Sequence, residues 1–505
     1  KQFLANDGIH YEKRWFTEWK IGDQKLIEID GESFPIGDVT FELFGIKTGF
    51  EICEDAWHAD RPACRLVDKN IDLILNPSAS HFSFGKSQTR EDLVVSSSKK
   101  FNCIYVYVNL LGNQSGRVIY DGDILIAKNG SLVGRNKRLS FNNYELLYCT
   151  LDSHSDAITP NVQDDWNEKN IEFTRAVSLG LYDYLRKSST AGFTLSLSGG
   201  ADSSSIAVMV AEMINIGVTE LGAKQFASNF NLNFDEKLGL DASKKQLVQQ
   251  LLTTAYQGTK NSSVDTFESA KGLADSIGAT FYKWEIDDVV KENTAIIEKA
   301  IGRKTSWDTD DISLQNIQAR SRSPIIWMLA NIRKQILLTT SNRSEGDVGY
   351  TTMDGDTSGS LAPIAGVDKE FILEWLKYAE KELGYSALSA VNSLSPSAEL
   401  RPSEMEQTDE DDLMPYNILK AIEIHGIRNH NSPKEVLSNI KKEFDVDDEI
   451  LKSYVRKFFK LWSINQWKRE RLAPSFHLDD FNVDPKTWCR FPILSGSFTE
   501  ELTSL

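Results

Sequence analysis

Apolar and polar positions alternate with different periods along the chain, and the first third follows the pattern of a layered α/β unit. Between about Leu43 and Leu151, short apolar runs such as IDLILNPS, CIYVYVNLL and DILIAKNGSLVG predict strands, and Lys86–Phe101 predicts a helix between two of them. The polar segment Ser153–Asn170 carries little hydrophobic periodicity. We therefore predict a first unit over residues 1–152, a linker over 153–165 and a second unit over 166–505.

The second unit opens with the pattern of a doubly wound parallel sheet. An amphipathic helix over Ile171–Arg186 precedes the predicted strand FTLSLS, a glycine turn and the predicted helix SIAVMVAEMINI. Two further predicted strands, QLLTTAY and KQILLTT, alternate with helical segments, and this alternation is typical of a parallel sheet with helices on both faces. Beyond Pro415 the pattern predicts a mostly helical C-terminal part.

Composition excludes several classes of protein. A chain of 505 residues exceeds one ordinary core, so we expect two or three folded units. The net charge of -17 argues against general nucleic-acid binding, and no apolar run approaches the roughly 18 residues of a membrane span. The five cysteines are widely spaced and include no C-x-x-C pair, which argues against a disulfide framework or a zinc site and fits a reducing cytoplasm.

A glycine-rich loop between a strand and a helix is the strongest chemical signal. It reads SGGADSS from Ser198 to Ser204, so backbone N–H groups and the helix N-terminus can approach an anion. The loop lacks the lysine of the Walker pattern, which argues against transfer of a γ-phosphate. It resembles the SGGxDS loop of ATP pyrophosphatases, which cleave ATP between the α and β phosphates. The plain alternative is a serine- and glycine-rich turn that caps a helix.

Segments further along indicate which pyrophosphatase the loop serves. The chain reads QNIQARSRSPIIWMLAN from Gln315, then LLTTSNRSEGDVGYTTMDGDTSGSLAPIAGVDK, followed in order by SPSAELRP and DEDDLMPY. These segments are similar to those of the NAD synthetase family. Two stretches depart from the family pattern: Ser360 stands where some members carry an aspartate, and Thr219–Gln246 has no usable counterpart.

The resemblance implies a set of site residues. ATP would be bound by Ser196, Ser198, Gly199, Gly200, Asp202, Ser203, Ser204, Thr340 and Lys369. The dinucleotide substrate would be bound by Asn316, Arg320, Arg322, Glu345, Tyr350, Asp356 and Lys468. Asp202 and Glu345 would hold Mg²⁺, a hard cation that prefers oxygen ligands. Taken alone, each of the arginines and Lys369 could equally lie on a solvated helix face.

The first unit resembles a nitrilase-like amidase, the glutaminase of one branch of the NAD synthetases. Cys53, in GFEICEDAW directly after a predicted strand, matches the nucleophile, and Lys1 matches the lysine that stabilises the tetrahedral intermediate. Glu12 matches a supporting acid, and Glu54, Ser80 and Lys86 would bind glutamine. The family's base glutamate is expected well before Lys1, so we expect the chain to be truncated at its N-terminus. The plain alternatives are a small buried thiol and a charged chain end.

The resemblance implies ATP-dependent amidation of nicotinic acid adenine dinucleotide to NAD, through an adenylated intermediate, with ammonia from glutamine. It implies ATP and Mg²⁺ as requirements, small molecules as the only partners, and a homo-oligomer. Two alternatives stay open at this point. One is a different amidotransferase with the same loop, and the other is a catalytically degenerate binding module.

Overall fold

The computed structural model describes residues 1–114, 116–151, 158–163, 166–394, 400–401, 409–486, 489–494 and 497–505. Within them the chain forms two compact units, Lys1–Gly180 and Leu181–Leu505. Most of the predicted linker at 153–165 and most of the segment SPSAELRP lie outside the described residues, and the predicted domain boundaries stay predictions.

The first unit is built mainly from strands. Its strands are β1 (Gln24–Ile29), β2 (Glu32–Gly37), β3 (Phe41–Leu43), β4 (Ile46–Phe50), β5 (Leu73–Ser78), β6 (Ile104–Asn109), β7 (Leu111–Asn113), β8 (Ile119–Asp121), β9 (Ile124–Lys128), β10 (Ser131–Arg135), β11 (Thr150–Leu151), β12 (Ile158–Thr159) and β13 (Asn161–Val162). Its helices are α1 (Pro62–Leu66), α2 (Lys86–Lys100) and α3 (Lys169–Ser188), which continues into the second unit, with 3₁₀ turns at Glu12–Arg14, Cys53–Trp57 and Val67–Lys69.

Seven of these strands form one mixed sheet in the order β13-β10-β9-β6-β5-β4-β3. The pairs β4 with β5 and β5 with β6 are parallel, whereas β6 with β9 and β9 with β10 are antiparallel. Helix α2 follows β5 and packs against β6, β9 and β10, which makes the layered arrangement that the sequence predicts. A buried apolar cluster including Leu66, Ile74, Val94 and Leu125 fills the space between the layers.

The second unit combines a parallel sheet with many helices. Its strands are β14 (Phe193–Ser196), β15 (Leu252–Gly258), β16 (Thr280–Glu285) and β17 (Ile336–Leu338). Its helices are α4 (Ala201–Leu221), α5 (Ala223–Asn229), α6 (Leu240–Leu251), α7 (Val264–Ile277), α8 (Asp287–Ile301), α9 (Trp307–Arg333), α10 (Arg343–Val348), α11 (Lys369–Lys381), α12 (Leu388–Asn392), α13 (Asp409–Asp412), α14 (Tyr416–Glu423), α15 (Pro433–Glu443), α16 (Asp448–Ile464), α17 (Gln466–Arg469) and α18 (Thr499–Thr503).

The four strands are all parallel and run in the order β16-β15-β14-β17. The chain therefore winds outward from β14 in both directions, which confirms the predicted doubly wound sheet. In such a sheet the ligand site lies outside the carboxyl ends of the strands, at the point where the winding direction changes. That point is the end of β14, where the SGGADSS loop begins.

The helical C-terminal part packs as a separate apolar cluster of the second unit. Helices α14, α15 and α16 contribute Ile418, Leu419, Val436, Leu451 and Phe458, all buried. The strong separation of apolar and charged positions on these helices is why the sequence predicts them correctly.

The sequence analysis finds no apolar run near the length of a membrane span, and helix α4 corrects that expectation. Among the described residues it is long and apolar enough to cross a membrane by length and composition, with a mean hydropathy of 1.3 over 18 residues. The expectation missed it because serine, threonine and glutamate interrupt its apolar residues. Since 72% of that window is buried inside the protein, α4 is the central core helix of the second unit.

Candidate active sites

The SGGADSS loop turns sharply at its first glycine. Gly199 has φ +85°, and a Cβ added there would lie 2.1 Å from the carbonyl oxygen of Thr266, so both the backbone angle and the space require glycine. The Oγ atoms of Ser198 and Ser203 lie 3.1 Å apart, and the Ser198 N–H donates to Ser203 Oγ at 3.2 Å. These bonds hold the turn between β14 and α4, so that the first N–H groups of α4 face the carboxyl edge of the sheet.

Asp202, in the first turn of α4, makes two contacts with downstream segments. Lys369 Nζ, at the start of α11, donates to Asp202 Oδ2 and forms an ion pair with it. Asn342 Nδ2 donates to Asp202 Oδ1 at 3.2 Å. Lys369 is buried, so its ammonium is screened by water less than a surface lysine would be.

Glu345 lies in the first turn of α10, on the same cavity wall as Asp202. Asn342 caps that helix by accepting from the Glu345 N–H at 3.0 Å, and the Glu345 carboxylate accepts in return from the Asn342 N–H at 3.5 Å. Asn342 therefore contacts both Asp202 and Glu345. The capping box explains in physical terms why an Asn-x-x-Glu sequence at this point brings a second carboxylate beside the loop.

A cavity of about 340 Å³ opens at this edge of the sheet. The sequence-predicted residues on its wall are Ser196, Ser198, Gly200, Asp202, Ser203, Arg322, Thr340, Glu345, Tyr350, Asp356 and Lys369. Its volume and its mixed lining suit a nucleotide-sized ligand. Gly199 and Ser204 are not on the wall: the first supports the turn from behind, and the second is buried within α4.

Three predicted substrate residues bind the protein's own segment 349–356. Asn316 Oδ1 accepts from Thr352 Oγ1 at 2.9 Å, and Arg320 Nε donates to the Met353 carbonyl at 3.0 Å. Lys468 Nζ donates to the carbonyls of Gly349 and Thr351 at 2.6 and 2.8 Å. In this structure these side chains fix the loop that carries Tyr350 and Asp356 to the cavity, and none of the three lies on the cavity wall.

Asp356 is a carboxyl group on the cavity wall whose pKa is shifted by burial. Burial raises the pKa of Asp356 to about 6, and a hydrogen bond from the Thr352 N–H together with the charges of Lys468 and Arg322 limits the rise. Burial also lowers the pKa of Lys468, an effect that Asp356 opposes.

The structure adds residues that the sequence analysis missed. Gln257, at the carboxyl end of β15, donates to Ser196 Oγ at 3.0 Å and accepts from Arg322 at its backbone oxygen at 3.2 Å. Ser262, Ser263 and Thr266 from the start of α7 also line the cavity. Position could have identified Gln257, because polar residues at the carboxyl ends of parallel strands face such sites.

In the first unit, Lys1, Glu12 and Cys53 line a second cavity of about 290 Å³, together with Ala5, His10, Ile52, Pro77, Ser78 and Ala79. Lys1 Nζ donates to Glu12 Oε2 and forms an ion pair with it. The same oxygen accepts from the Ala5 N–H at 2.6 Å. The structure thus brings together the predicted nucleophile, lysine and supporting acid from two distant segments.

Cys53 has a strained backbone at the point where β4 turns into a 3₁₀ helix. Its φ is +51°, a left-handed angle that residues with a side chain rarely adopt. Such strain persists only where the surroundings hold it, and it concentrates at functional sites. Asp55 supplies part of that hold, since its carboxylate accepts from the N–H groups of Gln2, Phe3 and Ile52 at 2.9, 2.7 and 3.0 Å. Asp55 therefore ties the Lys1 segment to the Cys53 turn.

The three predicted glutamine-binding residues do not line this cavity. Glu54 pairs with His58, whose Nε2 lies 3.3 Å from a Glu54 carboxylate oxygen. Lys86 Nζ lies 2.8 Å from His81 Nε2, and the Ser80 N–H donates to Asn109 at 2.8 Å. Their binding roles stay predictions.

A buried ion network supports the loop that carries Ser80 and His81. Arg90 donates to the carbonyls of both residues at 3.2 and 3.0 Å and to Asp121 at 2.5 Å. Burial opposes ionisation of Asp121, but Arg90 and Arg138 outweigh it and lower the pKa of Asp121 to about 2. The loop is therefore fixed by charges that are fully removed from water.

Comparison with known proteins identifies the family of the chain. The family model described as NAD synthase matches residues 173–471. A crystal structure of a glutamine-dependent NAD(+) synthetase from Cytophaga hutchinsonii is 50% identical, with a TM-score of 0.87 over 100% of this chain and 81% of that chain. Glutamine-dependent NAD(+) synthetases of Oryza sativa subsp. indica and Rattus norvegicus are each 28% identical, over 95% and 98% of this chain and 75% and 78% of theirs. The chain therefore belongs to the family of glutamine-dependent NAD(+) synthetases.

Proposed function

We propose that the chain amidates nicotinic acid adenine dinucleotide to NAD at the expense of ATP, with ammonia that its first unit releases from glutamine. One observation carries the proposal: Asp202 of the glycine loop, Lys369 and Glu345 meet at one cavity at the carboxyl edge of the parallel sheet. That cavity lies within the region that matches the NAD synthase model. Family membership supports the identity of the substrates.

The chemistry needs activation, because a carboxylate is a poor electrophile towards ammonia at neutral pH. Transfer of AMP to the substrate carboxylate makes a mixed anhydride and releases pyrophosphate, and ammonia then displaces AMP to leave the amide. The N–H groups at the start of α4 and the Lys369 ammonium would stabilise charge on the departing pyrophosphate. Catalysis on this account comes mainly from positioning and electrostatics.

We further propose that Asp202 and Glu345 hold Mg²⁺. Both carboxylates contact Asn342, and Asp202 pairs with the Lys369 ammonium, which supports a cation site at this place. When bound, the metal would neutralise phosphate charge. Calorimetric titration of MgCl₂ in the presence of a non-hydrolysable ATP analogue tests the site without turnover, since Asp202→Asn is expected to weaken metal binding.

For the dinucleotide, the loop 349–356 would form part of the wall of the site. Tyr350 and Asp356 lie on the cavity wall with Arg322. Three predicted substrate residues would act by holding this loop: Asn316, Arg320 and Lys468. They would contact the substrate only after their hydrogen bonds to the loop break.

In the first unit, Cys53 would be the nucleophile, Lys1 the stabilising cation and Glu12 the supporting acid. Their common cavity and the left-handed Cys53 backbone support these roles. We also propose that the protein works in the cytoplasm as a homo-oligomer, and light scattering of the purified chain tests the second part.

Pyrophosphate release from ATP tests the proposed function. The chain is incubated with ATP, MgCl₂ and ammonium, and with one of three acceptors: nicotinic acid adenine dinucleotide, xanthosine monophosphate or aspartate. We expect release only with the dinucleotide, together with NAD. Release that depends on either other acceptor would instead assign the site to a different amidation.

A further inference from the structure

Asn342 is a buried residue that contacts both carboxylates of the proposed metal site. It follows Thr340 and Ser341, which line the synthetase cavity just after β17. Asn342 itself is 0% exposed and is not on the cavity wall. A side chain behind the wall acts on a ligand through the groups that it contacts, so the partners of this amide decide what it can do.

The cap of α10 fixes the orientation of the Asn342 amide. Asn342 Oδ1 accepts from the Glu345 N–H at 3.0 Å, and a backbone N–H can only donate. The amide oxygen therefore faces α10. The amide nitrogen, on the other branch, donates to Asp202 Oδ1 at 3.2 Å. Both contacts require the same orientation, since an ionised carboxylate can only accept.

Asp202 is held at both of its carboxylate oxygens. Oδ2 pairs with the Lys369 ammonium, and Oδ1 accepts from Asn342. A carboxylate offers about four lone-pair positions, so these two contacts leave room for a metal ion at the same group. In the proposed function Lys369 also serves the phosphates of ATP, which makes its contact exchangeable. The Asn342 contact is fixed, because the cap of α10 holds the other end of the amide.

Glu345 is tied to the same residue from α10. Its N–H donates to the Asn342 side chain, and its carboxylate accepts from the Asn342 backbone N–H at 3.5 Å. Reciprocal contacts of this kind set the first turn of a helix and the direction of the acidic side chain in it. A single residue therefore contacts two carboxylates that stand far apart in the sequence.

The contact with Asp202 separates two roles that this residue could have. Serine, threonine and aspartate also cap helices, so a cap alone does not require asparagine. The hydroxyl of serine or threonine ends one bond short of the amide nitrogen. An aspartate would face Asp202 with a second negative charge in place of an N–H donor. Asparagine is the residue among these that both caps α10 and donates to Asp202.

We propose that Asn342 is a positioning residue that orients Asp202 and Glu345 for a divalent cation. The inference rests on the proposed Mg²⁺ site and names the group that sets its geometry. Carboxylate oxygens suit a hard cation such as Mg²⁺. Replacing a residue that hydrogen-bonds to a metal ligand typically lowers metal affinity by roughly 10–100-fold, because the ligand loses its orientation.

Binding of Mn²⁺ tests the inference without turnover. Mn²⁺ suits the same oxygen ligands as Mg²⁺, and its electron paramagnetic resonance signal distinguishes the free ion from the bound ion. The titration uses α,β-methylene-ATP, which has no cleavable bond between the α and β phosphates. We expect Asn342→Ser to weaken Mn²⁺ binding about tenfold or more. Binding of the same analogue in EDTA should change less than about twofold, because Asn342 is not on the cavity wall.

Ser432→Ala is the matched control for the loss of a helix cap. Ser432 caps α15 with the same reciprocal pattern, since its side chain accepts from the Glu435 N–H, and it is not on the cavity wall. This variant should lower the melting temperature by a few degrees and leave Mn²⁺ binding unchanged. Asn342→Ser keeps a capping oxygen and should show the opposite pattern.

Unchanged Mn²⁺ affinity in Asn342→Ser would overturn the inference. So would an equal loss of Mn²⁺ affinity and of nucleotide affinity in EDTA, because that pattern would show a merely structural role. Should Asn342→Ser fail to fold, Asn342→Thr decides, since threonine also caps helices and its hydroxyl has the same reach.

Failure of the proposed metal site would look different. If Asp202→Asn bound Mn²⁺ as tightly as the unchanged chain, the metal site itself would be wrong, whatever the result for Asn342. If Asp202→Asn lost Mn²⁺ binding while Asn342→Ser kept it, the metal site would stand and the positioning role alone would fail.

Discussion

Lys369 supplies the proposed synthetase site with a buried positive charge. Its ammonium is buried and paired with Asp202, and it faces the cavity. We predict that Lys369→Met lowers the rate of pyrophosphate release about 100-fold or more, because removal of one group that stabilises developing charge typically costs that much. A radiochemical pyrophosphate assay at saturating ATP measures the effect.

The matched control is Lys377→Met, on the exposed face of the same helix α11. It removes an equal charge at a distance from the cavity and should change the rate less than twofold. A Lys369→Met enzyme within a few-fold of the unchanged chain would show that the ion pair with Asp202 is structural.

Glu423 makes the stability of the second unit depend on pH. Burial raises the pKa of Glu423 to about 7, an effect that Arg343 opposes, and the pKa of neighbouring Asp347 is also raised by burial and by Glu423. The folded state therefore holds a proton that the unfolded chain loses at lower pH. This contribution to stability is complete below the unfolded pKa of about 4.5 and is lost as pH rises to about 7.

We predict that Glu423→Gln reduces the loss of unfolding free energy between pH 5 and pH 8 by on the order of 2 kcal/mol. The amide keeps an oxygen for Arg343, which lies 2.9 Å from the carboxylate, but cannot ionise. Urea unfolding at the two pH values measures it. An identical loss in both proteins would mean that Glu423 is already ionised at pH 5 in the folded chain.

At the scale of an element, the turn between β14 and α4 depends on its first glycine. We predict that Gly199→Ala destabilises the second unit and abolishes ATP-dependent pyrophosphate release, since the added methyl group would meet the Thr266 carbonyl at 2.1 Å. Gly222→Ala separates this clash from backbone strain, because Gly222 has a similar φ of +82° but open space around it.

The Gly222→Ala variant should lose on the order of 1–3 kcal/mol from backbone strain alone, because a φ of 82° with a ψ of 145° is a conformation that residues with a side chain rarely adopt. Thermal unfolding of the two variants side by side gives the difference. Equal melting temperatures would show that the loop can move away from α7, which would contradict a rigid turn.

The elements on both sides of this turn are among those that the sequence pattern predicts. Helices α2, α3 and α4 and strands β5, β6, β14 and β15 follow from periodicity, because each buries one face or lies wholly inside. The sequence pattern did not predict strand β16, because its side chains are half-buried or exposed at the edge of the sheet. The β1–β2 hairpin was missed for a similar reason, as its residues are exposed or half-buried.

Among the candidate site residues, those that stand in sequence motifs could be predicted. Contacts that form only when distant segments come together in the fold could not. Asp202, Glu345 and Lys369 stand in recognisable segments and do meet at one cavity. Gln257 lies at the end of a predicted strand, so its position could have identified it. The contact of Asn342 with Asp202 joins two distant segments, and no local spacing reveals it. Lys468 was expected at the substrate, but it binds backbone carbonyls of the neighbouring loop.

At the scale of the whole molecule, we propose that the first unit hydrolyses glutamine and the second unit forms the amide. We predict that Cys53→Ala abolishes NAD formation from glutamine, because the variant lacks the thiol that would attack the amide. Cys64→Ala is the matched control, since Cys64 is also a half-buried free cysteine of the first unit but does not line the cavity. NAD formation from glutamine by Cys53→Ala would show that another residue attacks the amide.

The central claim is that the second unit activates a carboxylate by joining it to AMP. The direct measurement uses nicotinic acid adenine dinucleotide with ¹⁸O in its nicotinate carboxylate, together with ATP, MgCl₂ and ammonium, and analyses the products by mass spectrometry. The account predicts equal amounts of NAD, AMP and pyrophosphate, with one ¹⁸O atom in the AMP phosphate. Formation of ADP and phosphate, or of AMP without ¹⁸O, would contradict it.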